Sequence, residues 1–278
     1  MKPLLLLCLL HQFHCPDVPM LRHVVALILS IAATILPVAA QGVIYPGEEL
    51  VYEVSYLGIN LGTIKTVTEP WTTYNGKKAA KVKVFIDSHP NIPFVSLHSV
   101  YESWMDENLT HSYQFVANTK VDDNTWEYDK YVFDLDGGVI TTEKFRNKSK
   151  VESKTFKTKK KYNDGSSILF AARRLVDIKR GIKIPSLIMD DTVSTICNFQ
   201  GERQTAEINA SAYPVKCIYF NGEANWTGIY GLTGRFEGWF SDDEAKIPIK
   251  AKMKVYVGSV TLELKSWRRG NWQPPKAG

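Results

Sequence analysis

Glu49-Leu50-Val51-Tyr52-Glu53-Val54-Ser55-Tyr56 places Leu50, Tyr52, Val54 and Tyr56 on every second position. A period of two residues is that of a strand with one buried face. Gly58-Ile59-Asn60-Leu61-Gly62 follows as a turn and Thr63 to Glu69 as the returning strand, so the simplest structure here is a hairpin. Comparable runs rich in β-branched and aromatic residues lie at Ala80 to Asp87, Ser96 to Met105, Thr110 to Ala117, Trp126 to Leu135 and Val139 to Phe145. Others follow at Thr192 to Phe199, Gln204 to Ala210, Val215 to Asn221, Gly234 to Phe240, Ile247 to Val257 and Val260 to Trp267. Asp134-Leu135-Asp136-Gly137-Gly138 supplies the residues that a tight hairpin turn needs. So many strands exceed what a flat open sheet carries, and the expected fold is mainly β: a strongly curved antiparallel sheet, or a barrel-like or sandwich domain.

One segment breaks the period. From Asp164 to Gly181, the apolar residues Ile168, Ala171, Ala172, Leu175 and Val176 recur at three- and four-residue spacing, which predicts one amphipathic helix over about 164–180. Asp164 or Ser166 can cap its start, and Lys179, Arg180 and Gly181 suit its end. Its apolar stripe must bury against the sheet, across the concave side or at one mouth.

The first forty residues read differently. Arg22 and His23, the apolar run Val24 to Leu36 and the small residues Val38-Ala39-Ala40 have the layout of a secretory signal, with Met20 as the expected true start. Residues 1–40 are therefore expected to leave, taking Cys8 and Cys15 with them, and 41–278 to form a single β-rich domain. Their loss removes Lys2, Arg22 and Asp17 and takes the formal charge from +5 to +4, too mild a value to name a partner. An exported chain is not expected to bind nucleic acid. Cys197 and Cys217 remain, and an oxidising compartment would permit a disulfide. Placed on the first and third strands of a meander they would stand ~9–10 Å apart, so two buried free thiols are the other reading.

Catalytic patterns are missing. His89, His98 and His111 form no metal-binding pair, and Cys197 and Cys217 have no partner cysteines, so neither a metal site nor a cofactor is expected. Gly228, Gly231 and Gly234 do not open a helix as a phosphate loop must, and no Gly-x-Ser-x-Gly elbow occurs. Asp242-Asp243-Glu244 is the one acidic cluster worth testing for general acid–base work, and a solvated turn explains it as well. The chain is expected not to be an enzyme.

Between Lys144 and Lys161 nine basic residues face the single acid Glu152. Lys157, Lys159, Lys160 and Lys161 would suit an anionic membrane surface or an acidic polymer; a lysine-guarded sheet edge is the bland alternative. Aromatic residues crowd two regions, and Trp104, Trp226, Tyr230 and Trp239 are candidates to line an apolar pocket should they face a concavity.

Three segments resemble a known family. Gly47 to Tyr56 with Gly58 and Gly62, then Tyr162 to Arg173, and finally Gly234 to Pro248 with Val257 to Leu264 are similar to the opening, the helix and the closing segment of the bacterial domain of unknown function 3108 family. Ser167 and Arg173 stand where that family's pattern has them. The resemblance implies an exported envelope protein, in the periplasm or on the periplasmic face of the outer membrane, with a curved β architecture and no known catalytic residues. A carrier or binding module for an apolar or lipid-like ligand is the first expectation, and an interaction module supporting outer-membrane or cell-wall assembly the second. Neither reading specifies an oligomeric state.

Overall fold

The computed structural model describes residues 42–90, 92, 97–228, 233–255 and 257–278. The leader and Tyr230 lie outside the described residues. Going outward from the chain start, the strands are β1 Glu49–Tyr56, β2 Ile59–Thr68, the short β3 Thr72–Tyr74, β4 Lys77–Ser88, β5 His98–Asp106, β6 Ser112–Lys120, β7 Trp126–Asp134, β8 Val139–Arg146 and β9 Ser149–Lys157. The helix α1 Ser167–Leu175 and a 3-10 turn Val176–Ile178 follow. The chain then returns through β10 Gly181–Ile188, β11 Asp191–Ala206, β12 Val215–Ala224, β13 Gly234–Ser241, β14 Pro248–Lys254 and β15 Ser259–Arg268.

These strands form one antiparallel sheet in the order β10-β11-β12-β13-β14-β15-β1-β2-β4-β5-β6-β7-β8-β9, with β3 paired to β4 alone. Neighbours are consecutive in the chain except β2 and β4, which pair across the short β3, and β1 and β15, which join the two ends of the domain, Tyr52 standing opposite Leu264 and Val54 opposite Leu262. The alternation in the opening stretch is explained by this register: Leu50, Tyr52 and Val54 point to the interior with Ile64 of β2 and Leu264 of β15 beside them.

The sheet curls without closing. Phe170 of α1 packs on Ala80, Val82, Val84 and Ile86 of β4, while Ala171, Ala172 and Val176 pack on Ile184, Cys197, Phe199, Ile218 and Phe220 of β10 to β12. The helix thus stands inside the concavity, one face on each half of the sheet. A third cluster brings Leu187 of β10 against Phe115, Tyr131, Phe133 and Ile140 of β6 to β8, so β10 faces these strands across the interior. On β12 and β13, Phe220 pairs with Gly238 and Phe236 with Gly222, and a Cβ on either glycine would overlap the ring opposite.

Several sequence expectations need correction. The first hairpin turns at Leu57-Gly58, both with positive φ, and not over Gly58 to Gly62; Ile59 already starts β2. The helix is shorter than 164–180, because Asp164 caps it through its side chain and Lys179 takes the left-handed conformation that stops it. Three strands, the short β3 and the longer β9 and β10, join those expected, and β11 is one long strand interrupted near Gly201, where its pairing to β12 shifts register.

Cys197 and Cys217 are both free and buried, and burial pushes each thiol up to about 12. They lie on adjacent strands and not on the first and third of a meander, but Cys197 pairs with Gly222. Five residues along β12 separate Gly222 from Cys217, about 17 Å of strand, and that offset is what keeps the thiols apart.

Candidate functional site

Three places hold buried charge or open apolar surface. The first is the start of α1. Asp164 is wholly buried, its Oδ1 accepting the main-chain N–H groups of Ser166 and Ser167 at 2.8 and 2.9 Å. Its Oδ2 accepts the hydroxyls of Ser103 and Ser112 at 2.5 and 2.6 Å. Burial raises its pKa, and these hydrogen bonds oppose the rise. The arrangement pins the helix to β5 and β6.

The second place is the helix end. Arg173 stands four residues after Leu169 and three before Val176, on the apolar stripe, and its side chain is fully buried. It meets Glu48 in a two-pronged pair at 2.9 and 3.2 Å, and donates to the carbonyls of Ala245 at 2.9 Å and Lys246 at 3.1 Å. Arg269 also pairs with Glu48 and donates to the carbonyl of Gly42. The buried Tyr52 hydroxyl lies beside this cluster with no hydrogen-bond partner among the described residues, and burial holds its pKa well above the ordinary tyrosine value. Arg173 therefore ties together the three segments singled out in the sequence: Glu48 from the opening, the helix itself, and Ala245-Lys246 from the closing segment.

The third place is the upper concave face, toward the strand tips at Leu57-Gly58 and Gly258. On the inner face burial differs from strand to strand, Val54, Val260 and Ile86 staying buried close to the tips. Leu264, Ile249 and Phe240 are fully buried, whereas Leu262, Met253, Ala251, Phe236 and Ile64, nearer those tips, are half-buried. Ile168 and Leu169 of α1 are also half-buried, and Leu169 touches the clusters of both sheet halves. The helix thus closes the lower part of the concavity and leaves an apolar wall above it.

The facing wall is charged. Asp129 of β7 stands opposite Lys144 of β8, and Lys144 reaches Asp190, in the β10–β11 turn, at 2.8 Å. Lys154 of β9 reaches the same carboxylate at 3.4 Å. Burial pushes the Asp129 carboxyl up to about 6, Lys144 opposing the rise. Asp190 is also desolvated, but hydrogen bonding and charge from Lys144 outweigh that and lower its pKa. This seam, where the β10–β11 turn meets β8 and β9, left no sign in the sequence.

The aromatic candidates do not converge. Trp104 points away from the concavity, opposite in sense to Ser103, and lies 4.5 Å from the Lys81 ammonium. Trp239 likewise faces away from Gly238 and Phe240 and donates to Gln204 at 2.8 Å. Trp226 donates to Thr195 at 3.0 Å just beyond β12. Lys157, Lys159, Lys160 and Lys161 are exposed at the end of the sheet opposite the Leu57-Gly58 tip, Lys160 lying 5.3 Å from the Tyr162 ring. In the acidic turn, Asp243 accepts from Ser241, Ala245, Lys246 and Trp272, and Asp242 pairs with Arg203 and Lys216. Both are fasteners of the turn. Among the described residues no group of three or more His, Cys, Asp or Glu is placed to hold a metal ion, and no helix is long and apolar enough to cross a membrane.

A curved, barrel-like antiparallel sheet wrapped on a single helix is the class to which this architecture belongs. The chain belongs to the family described as "Protein of unknown function (DUF3108)", which it matches over residues 51–265. Among solved structures it is similar to a β-barrel-like protein of domain of unknown function DUF1849 from Brucella abortus, at 11% identity and a TM-score of 0.54, over 82% of this chain and 99% of that one. That likeness concerns the fold alone. A lipoprotein candidate from Parabacteroides distasonis aligns at 8% identity over 81% of this chain and 97% of that one, with a TM-score of 0.34. No curated protein matches.

Proposed function

We propose that this chain is a non-enzymatic, exported envelope protein that binds or carries an apolar, lipid-like ligand against the upper concave face. The observation that carries the reading is the wall of Phe236, Ala251, Met253 and Leu262 on the adjoining strands β13, β14 and β15, half-buried where the same strands are fully buried lower down at Phe240, Ile249 and Leu264. Apolar surface left open inside a concavity, above a helical floor, suits an apolar guest. Asp243 is engaged by its own turn and Asp242 by Arg203 and Lys216 of β11 and β12, which fits a role without acid–base chemistry. Export and the envelope location rest on the leader-like residues 20–40 and on the family resemblance.

The test is uptake of a fluorescent fatty-acid probe by delipidated protein, with Met253→Asp as the blocking variant. Saturable uptake that Met253→Asp abolishes, while far-ultraviolet circular dichroism stays unchanged, supports the reading. No uptake by the unaltered protein, or uptake indifferent to the substitution, ends it.

A further inference from the structure

The two edges of this sheet are finished in different ways. At β10 the edge is covered: Asn163 bridges to Ser186, with main-chain hydrogen bonds from Asn163 to Pro185 at 2.9 Å and from Leu187 to Asn163 at 2.8 Å. Nothing comparable covers β9 among the described residues. Its ladder runs to β8 alone, and its residues enter no other main-chain hydrogen bond. Seven of its nine residues are exposed, Val151 at 62%, while Phe156 packs inward and Lys154 reaches Asp190 from the inner side. Such an edge spans about 30 Å and presents about four outward N–H and about four outward C=O groups.

Charge selects what can pair there. From Lys148 to Lys161 seven lysines stand against Glu152. Lys150 and Lys154 have acidic partners, whereas Lys148, Lys157, Lys159, Lys160 and Lys161 have none among the described residues. A second copy of the same edge would set lysine against lysine, which is destabilising across a strand pair. An extended segment bearing glutamate or aspartate would gain both the ladder and the charge. An anionic bilayer would satisfy the charge and leave the main-chain groups without a ladder.

We propose that the free edge of β9 is an interaction surface that takes an acidic, extended strand from a partner protein by β-addition. The inference is independent of the apolar concavity.

The probe is a fluorescein-labelled peptide of about ten residues, alternating glutamate and valine, added to the full chain, with a lysine–valine peptide as control. Support is binding of the acidic peptide alone, with slowed hydrogen exchange of the main-chain amides of 149–157. Lys148→Glu with Lys157→Glu, both exposed and outside any ion pair, should weaken it at least about tenfold. The proposal is overturned by absence of binding, or by protection confined to 158–161. It is equally overturned if vesicles of anionic lipid protect the 149–157 amides to the same extent, or if 149–157 prove protected in a homodimer. The peptide result on unaltered protein stands whether or not the double variant folds.

Discussion

Replacing Arg173 by Met removes a charge that is buried on every side and keeps a side chain of similar reach. Four hydrogen bonds go with it: two to the Glu48 carboxylate and one each to the carbonyls of Ala245 and Lys246. Removing one partner of a buried pair costs about 3–5 kcal/mol, because the charge left behind is uncompensated. Here Arg269 still holds Glu48, which places the expected loss near the low end, about 3 kcal/mol. For a domain of this size that is a fall in Tm of about 6–12 °C. Thermal and urea unfolding of Arg173→Met, Glu48→Gln and the double variant form a cycle, and the coupling should be at least about 1.5 kcal/mol. A single-variant loss below about 1 kcal/mol, or strict additivity, would refute the idea that this pair joins the three segments.

Asp129 and Asp106 should give opposite pH signatures. The folded-state pKa of Asp129 is raised to about 6 by burial, so the folded chain holds a proton that the unfolded chain has lost, and stability falls as pH rises from about 4 to 6. Asp129→Asn should therefore stabilise at pH 7 by about 1 kcal/mol, discounted for its partial exposure, and have no effect at pH 4. For Asp106 burial is outweighed by hydrogen bonds from His111 and Thr110, which hold the carboxyl at about 2. Its contribution is complete above about pH 4 and lost between about 4 and 2, and Asp106→Asn should cost about 1–2 kcal/mol at pH 7 in urea titrations. Phe170→Ala should cost about 3–5 kcal/mol by calorimetry, since the ring is 1% exposed between helix and β4. Gly238→Ala should cost about 1–3 kcal/mol, because the new methyl meets the Phe220 ring, which is stacked on Phe240.

Where alternation was clean, the strands could be read from the sequence. Leu50, Tyr52 and Val54 face inward as their spacing requires. β9 escaped because exposed lysines occupy its positions, and β10 because Ser186, Leu187 and Ile188 are all buried and Pro185 interrupts the run. Turn position was misread at Leu57, a bulky residue at φ 49 where glycine is expected. The helix was legible from its stripe, and Arg173 stood on that stripe as a visible anomaly. Its partner Glu48 lies 125 residues away in the chain, and only the folding of the sheet brings the two together. The tryptophans misled because size says nothing of facing: Ser103 and Ser112 turn inward to serve Asp164, and Trp104 is sent outward by one residue of parity.

The placement of β1 beside β15 has a consequence for biogenesis. Arg268 must travel back to Glu49 across 219 positions of chain, so this seam can be sewn only after the last strand has been made and delivered. A chain cut short before Ser259 would leave β1 with a bare edge in the middle of what should be a continuous surface. The two meanders on either side can organise locally, and the slow, topologically distant step that merges them waits for the carboxyl end.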